Sequence, residues 1–261
     1  NETGRMADVI LPGISFAEKS GTFTNTERRV QLIRPALEAP GSARQDWCIV
    51  ADLANRLGAG WQYDSAVEIF TELAKVTPQY AGMSHRRLER EGGLQWPCPT
   101  PDHPGTPYLH KGKFTRGLGM FSPVPFVEAA ELPDDEFPFF LSTGRVLFHW
   151  HGGTMSRRSP GLESLAPEAE VEIHPQDGEH LGVKDGQLVQ VASRRGQITA
   201  RANLTRRSPP GTVFMTFHYA EAAANILTPT NVDPVAKIPE YKVSAVKIEP
   251  LGQHRPAWQH S

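Results

Sequence analysis

Between about Gln95 and Pro125 the chain loses all periodicity and crowds proline and glycine together, and the hydrophobic pattern differs on its two sides. The stretch reads as a long ordered linker, and no internal repeat crosses it. An α/β portion, 1–125 with the linker, is expected on one side of it and a β-barrel domain, 126–261, on the other.

On the N-terminal side, Ala7-Asp8-Val9-Ile10-Leu11 stopped by Pro12 has the pattern of a buried strand that runs into a Gly-, Ser- and Thr-rich loop. Val50, Leu53, Ala54 and Leu57 recur at helical spacing with Gly58 beyond, which predicts an amphipathic helix from about Gln45 to Leu57, started by Asp46 or Ser42. Ser65 and Glu68 stand at capping-box spacing. A second helix should follow them, bury Ala66, Ile69, Phe70, Leu73 and Ala74, and end before Pro78.

On the C-terminal side the period shortens. The runs 137–141, 171–173, 188–191, 198–204, 213–217 and 243–248 are short and β-type, several of them alternating. Arg194-Arg195-Gly196-Gln197 sits between two of them as a hairpin turn would, Asp185-Gly186 reads as another turn, and one small helix is expected near 176–181. Short strands at this spacing predict a compact β-barrel.

Composition excludes several occupations. With 27 basic and 29 acidic residues the net charge is −2, so bulk binding of a nucleic-acid backbone is not expected, and the five arginine pairs read as solvated or ion-paired surface. The two cysteines, Cys48 and Cys98, form no CxxC pair, so neither a zinc ribbon nor an iron–sulfur cluster can be built from this chain alone. Cys48 reads as core, and Cys98 as structural within its loop. No stretch approaches the ~20 apolar residues of a membrane span, so no direct membrane insertion is expected. The opening on Asn1, without a signal-peptide pattern, reads as a piece of something longer.

Chemistry concentrates in the seventeen positions from Ser142 to Arg158, a loop leaving the end of the run 137–141. Small residues there let backbone N–H groups approach oxygens, arginine supplies a charge-assisted fork, and rings cover flat faces; a polar surface loop would have the same make-up. His149 and His151 stand two apart without a third ligand at metal spacing, which favours hydrogen bonding over metal ligation. There is no GxxxxGK[ST] and no Gly-x-Ser-x-Gly, and Gly117-Leu118-Gly119 lacks the third glycine of a dinucleotide fingerprint.

Ala7 to Pro12 together with Ala17-Glu18-Lys19-Ser20-Gly21-Thr22-Phe23-Thr24-Asn25-Thr26-Glu27-Arg28-Arg29-Val30-Gln31 resembles the later part of molybdopterin oxidoreductases of the dimethyl-sulfoxide-reductase superfamily. Thr143-Gly144-Arg145-Val146 through Trp150-His151, and Arg157-Arg158, resemble their dinucleotide-binding domain, and the resemblance covers essentially the whole chain. Phe217-His218-Tyr219-Ala220-Glu221 through Thr228, and Asp233 through Lys242, are most similar to formate dehydrogenase catalytic subunits; periplasmic nitrate reductases are similar over the same segments.

The resemblance implies an α/β region followed by a mostly β, six-stranded double-psi barrel that covers a molybdenum or tungsten bis(molybdopterin guanine dinucleotide) cofactor. It implies that Thr143, Gly144, Arg145, Val146, His149, Trp150, His151 and Gly152 line that cofactor, that Phe217, Asn225 and Lys242 add contacts, and that Lys19 and Asp46 bind the nucleotide end. It assigns no catalytic residue and no metal ligand to this chain, because those residues and the [4Fe-4S] cluster lie upstream of the matched region. The chain would then be inactive alone. Its implied partners are the remainder of the catalytic subunit and iron–sulfur and flavin electron-transfer subunits, with formate as substrate. The implied location is cytoplasmic, a periplasmic one being left open by an export signal that would lie upstream. The alternatives are a nitrate reductase-like member and a non-catalytic dinucleotide-binding module.

Overall fold

The computed structural model describes residues 2–252. Within them the chain divides between Ser122 and Pro123 into two compact units.

The first unit holds helices α1 (Glu2–Met6), α2 (Asp46–Arg56), α3 (Ala66–Val76) and α4 (His85–Glu91) and strands β1 (Gly21–Thr24), β2 (Arg29–Ile33) and β3 (Leu94–Gln95). The strands form an antiparallel sheet in the order β1-β2-β3, with Gly21 opposite Ile33 and Thr24 opposite Val30. Its hairpin turn is closed by Asn25, whose side-chain oxygen accepts the Arg29 N–H at 3.0 Å, with Arg28 at a φ of 66°. Val30, Phe70, Met83, Leu88, Leu94 and Cys98 make the core.

Several expectations need correction here. Ala7–Leu11 is not a strand: Val9, Ile10 and Leu11 are exposed, because the only ladder contact nearby among the described residues is the bridge between Gly13 and Arg44. α2 lies where the periodicity puts it, yet it buries only Ala51 and leaves Val50, Leu53 and Leu57 exposed. Cys48 on that helix is half-buried rather than core. At the start of α3 the Ser65 side chain caps nothing, and Glu68 reaches past it to accept the Asp64 N–H at 2.8 Å. That helix buries Phe70 and Ala74, half-buries Ala66 and Ile69, and exposes Leu73.

The stretch after Gln95 is also less of a linker than expected. Cys98 is fully buried and its backbone joins Gln79 and Gly82, while the Arg28 guanidinium donates to the carbonyls of Trp96, Thr106 and Pro107. From Trp96 to Pro138 the chain forms neither helix nor strand, and its part up to Pro107 is the one tied down by these hydrogen bonds.

The second unit is a closed barrel. Its strands are β4 (Phe139–Gly144), β5 (Glu170–Ile173), β6 (Leu188–Ala192), β7 (Gln197–Leu204), β8 (Thr212–Thr216) and β9 (Ser244–Pro250), and the short helices α5 (Pro160–Glu163) and α6 (Pro175–Leu181) cross between them. The order around the barrel is β4-β8-β5-β7-β6-β9. The pairs β4/β8 and β5/β7 are parallel and the other ladders antiparallel, the mixture a double-psi arrangement requires. Each of the six β-type runs is a strand. Their alternation aims Leu141, Val171, Ile173, Val189, Val191, Val213, Met215 and Val246 into one core, all essentially without solvent contact. Between β6 and β7 the Ser193 N–H donates to the Gly196 carbonyl at 2.9 Å, closing the predicted hairpin. Among the described residues no helix is long and apolar enough to cross a membrane.

Candidate functional site

Parallel pairing of β4 with β8 brings the ends of both strands to one place: Thr143 lies opposite Met215 and Gly144 opposite Thr216. The residues that follow, Arg145 and Phe217, are therefore neighbours, and the Phe217 N–H donates to the Gly144 carbonyl at 3.3 Å. Gly144 is required by close approach, since a Cβ there would stand 2.5 Å from the Phe214 ring. Gly144→Ala is expected to cost ~1–3 kcal/mol through overpacking, read as a lower urea midpoint; an unchanged midpoint would mean that Phe214 swings aside freely.

A cleft of about 620 Å³ opens at these strand ends. Of the residues named by the sequence, it gathers Gly144, Arg145, Phe217, Asn225 and Lys242, and adds Thr228, Pro239 and Tyr241. The Arg145 guanidinium lies 6.0 Å over the Phe217 ring and, among the described residues, makes no hydrogen bond or ion pair. The Lys242 ammonium donates to the Thr143 carbonyl at 2.5 Å and sits 5.4 Å from the Tyr241 ring. Among the described residues no carboxylate lines the cleft. Two cations, two aromatic rings, a carboxamide and a hydroxyl suit an anionic ligand that carries flat rings.

The rest of the loop is placed differently. The His149 side chain is fully buried, with Nε2 2.9 Å from the Ala166 carbonyl and Nδ1 3.3 Å from the Ser156 hydroxyl. A carbonyl only accepts, so Nε2 carries the proton and Nδ1 accepts from Ser156. Both nitrogens are engaged inside the fold, and His149 has none left for a polar contact in the cleft. Thr143 is likewise buried and stays behind the cleft wall. Trp150, His151 and Gly152 are exposed outside the cleft, and Val146 lines an adjoining hollow that shares Arg145 and holds Glu168, Glu170, Glu172, Asn203 and Arg207.

Behind the loop lies a buried polar cluster. The His218 ring packs 4.7 Å from His149 and 3.8 Å from Tyr219, and its Nε2 is buried without a hydrogen-bond partner. Burial above all, with the Arg157 charge adding to it, pushes His218 down to about 4, and burial pushes Tyr219 up to about 12. Arg157 binds both Glu163 and Glu221 and lies 4.8 Å over the Tyr219 ring.

Lys19 and Asp46 belong to the first unit, where they meet as an ion pair with Nζ 2.7 Å from Oδ2. The Lys19 hydrogen bond holds the Asp46 carboxyl below the usual carboxylate range. Asp46 occupies the first turn of α2, and Gly13 is what lets its Oδ1 lie so close to the backbone, since a Cβ there would stand 2.7 Å away. Both residues border a hollow of about 290 Å³ with Phe23, Trp47 and Phe70.

Sequence reading missed Thr228, Pro239 and Tyr241. The signal for Tyr241 was its place beside Lys242 in the segment Pro239-Glu240-Tyr241-Lys242. Among the described residues no group of three or more His, Cys, Asp or Glu could hold a metal ion.

Fold and cleft together define a closed six-stranded barrel with a cationic, aromatic-lined cleft at its strand ends. Residues 139–245 match the family model of the molybdopterin dinucleotide binding domain, and residues 1–56 match that of the molybdopterin oxidoreductases. The alpha subunit of F420-dependent formate dehydrogenase 2 from Methanococcus maripaludis is 52% identical over 96% of this chain and 37% of its own length. The assimilatory nitrate reductase catalytic subunit of Bacillus subtilis is 41% identical over 96% of this chain and 37% of its own. Among solved structures, acetylene hydratase from Pelobacter acetylenicus shares the fold, with a TM-score of 0.68 at 16% identity over 95% of this chain and 38% of that one. The chain belongs to the molybdopterin oxidoreductases. It spans about 37% of the length of the curated relatives it matches.

Proposed function

We propose that this chain holds the dinucleotide ends of a molybdenum or tungsten bis(molybdopterin guanine dinucleotide) cofactor in an enzyme that oxidises formate to carbon dioxide and two electrons. The observation that carries the reading is the cleft at the end of β4, where Arg145, Lys242, Phe217 and Asn225 converge with no opposing carboxylate. When bound, the cofactor supplies the two-electron redox chemistry.

The residues of the chain bind and orient. Arg145 and Lys242 neutralise pyrophosphate oxygens, Phe217 and Tyr241 cover ring faces, and Asn225 donates to or accepts from a ring edge. Asp46 has lone pairs beyond the one Lys19 uses, enough to accept the N1–H and amino group of guanine. Formate rather than nitrate is favoured by the higher identity to the formate dehydrogenase alpha subunit. With that reading go the remainder of the catalytic subunit, iron–sulfur and flavin subunits as electron carriers, and a cytoplasmic location.

The test uses the native protein recovered intact. Metal by mass spectrometry and guanylate after acid hydrolysis should give about two guanylates per metal atom. Asp46→Ala and Lys242→Ala should each lower that content, by roughly 10-fold to 100-fold on dialysis if each removes one charge-assisted contact; full content in both variants refutes the assignment. Formate should reduce a dye through the intact subunit. Turnover with nitrate instead would move the enzyme to the nitrate reductase side of the family.

A further inference from the structure

Lys242 ends a segment that leaves the described chain little to hold it by. Between the short turns after β8 and the start of β9 at Ser244 there is neither helix nor strand. The segment is tied by the bridge between Val232 and Pro239, by the turn that Asp233 closes through the N–H groups of Val235, Ala236 and Ile238, and by Glu240, whose N–H donates to the Asn231 carbonyl and whose carboxylate accepts the Ala130 N–H, and none of these holds the Lys242 side chain. A lysine on such a segment has four rotatable side-chain bonds and a strongly hydrated head, so it would ordinarily point into solvent. Here its ammonium is fixed instead, and what fixes it is one residue of β4.

Thr143 is 1% exposed and does not line the cleft. Its hydroxyl donates to the Tyr241 carbonyl at 2.6 Å, and its own carbonyl accepts from the Lys242 ammonium at 2.5 Å. It thus clasps two successive residues of the loose segment, one through the main chain and one through the side-chain head. Thr143 itself is held by the barrel, opposite Met215 in the parallel β4/β8 ladder. Two residues further on, past Gly144, the same strand end delivers the unpaired guanidinium of Arg145.

We infer that Thr143 is a positioning residue that sets Lys242 in place against Arg145, so that the two cations face the ligand's anionic bridge at a fixed separation. The inference rests on the cofactor reading above. An ammonium has three donors, and the Thr143 carbonyl uses one, which leaves two for phosphate oxygens. The hydroxyl matters because it restrains the backbone that carries Lys242. Losing it frees the Tyr241 carbonyl and widens the range of the ammonium without removing any group that touches the ligand.

The experiment compares intact subunits carrying Thr143→Val, which keeps the shape and loses the donor, Thr143→Ser, which keeps the donor, and Lys242→Ala. Two quantities are read: guanylate and metal retained per chain after dialysis, and the rate at which the Lys242 amine is acetylated in subunit made without cofactor, followed on its peptide by mass spectrometry. Thr143→Val should raise the acetylation rate and lower retained guanylate, each roughly 3- to 10-fold, the range expected for one net hydrogen bond. Thr143→Ser should restore both, and Thr143→Val should add nothing to Lys242→Ala.

If Lys242→Ala lowers guanylate while Thr143→Val matches wild type in both readouts, the positioning role is wrong and the cofactor reading stands. If Lys242→Ala keeps full guanylate, Lys242 is not a ligand contact and the role falls with it. Should Thr143→Val fail to fold, the wild type still decides: Lys242 should acetylate several-fold more slowly than Lys111 and Lys113, and equal rates would overturn the clasp.

Discussion

Arg87→Met should lower stability by ~2–4 kcal/mol, seen as a fall in the urea midpoint read by tryptophan fluorescence at unchanged slope. Arg87 is buried on α4, and its guanidinium is a hub. It donates to the Gly82 carbonyl at 2.9 Å, the Thr100 carbonyl at 3.2 Å and the His103 carbonyl at 2.5 Å, and its Nε meets Glu91 at 2.9 Å. Methionine keeps most of the apolar stem and removes every donor, so three carbonyls around Cys98 lose a charged donor at once; Thr100 keeps the His103 N–H, and His103 keeps only the weak Cys98 thiol. Glu91 is 30% exposed in its side chain and can be rehydrated, so the carbonyls carry most of the loss. Arg87→Lys should lose nearly as much, because one ammonium cannot reach carbonyls spread around a planar fork. A shift below ~0.5 kcal/mol, the range of an ordinary surface substitution, would mean that water already serves these carbonyls.

That hub shows where sequence reading stops. The sequence marked Arg86-Arg87 as one of five surface pairs and Cys98 as a lone thiol in a loop; neither pattern says that the two side chains meet at 3.4 Å, because the contact depends on how the Pro-rich stretch folds back on α4. The barrel was legible for the opposite reason. Its strands bury one face each, so the period of two is written into Leu141, Val171, Ile173, Val189, Val191, Val213 and Met215. The β1–β2 hairpin was hidden because only Val30 along it is fully buried and its turn is built by Asn25 and a left-handed Arg28 rather than by an Asn-Gly pair. Ala7–Leu11 and the apolar side of α2 carry the patterns of buried elements and stand exposed among the described residues; pattern reports what a segment can bury, not what covers it.

The site divides along the same line. Arg145, Phe217, Asn225 and Lys242 come from three segments of the sequence; the parallel β4/β8 ladder brings Arg145 to Phe217, and the antiparallel β4/β9 ladder with the Thr143 contacts brings in Lys242. Residue type alone could not separate His149 from His151. One lies in the loop's interior with both nitrogens engaged, and the other stands outside at a φ of 47°.

Stability should also fall between pH 6.5 and about 4, by up to ~3 kcal/mol, because of His218. In the fold this imidazole is buried and neutral, with a proton affinity depressed to about 4 from an ordinary 6.5. The unfolded chain takes up that proton near pH 6.5 and the folded one does not, so the unfolded state binds more protons throughout the interval and unfolding becomes easier as the pH drops. Above pH 6.5 the contribution is complete. The groups facing the ring are His149, Tyr219, Arg157, Glu163 and Glu221. Burial draws the Glu221 carboxyl upward, but the hydrogen bonds and charge of Arg157 outweigh it and leave Glu221 below its ordinary 4.5. Its stabilising share is present above pH 4.5 and is lost only beneath it, so the two windows separate. His218→Phe distinguishes them. The buried Nε2 has no partner to lose, so the variant should match wild type at pH 7 to within ~1 kcal/mol, lose most of the slope from pH 6.5 to 4.5 while keeping the part due to His85, which burial also pushes down, and keep the acid step below that. Chemical denaturation at half-unit pH steps measures it. An undiminished slope in His218→Phe would place the acid sensitivity on another group, and a large loss at pH 7 would mean that the Nε2 is bonded to water in the folded protein.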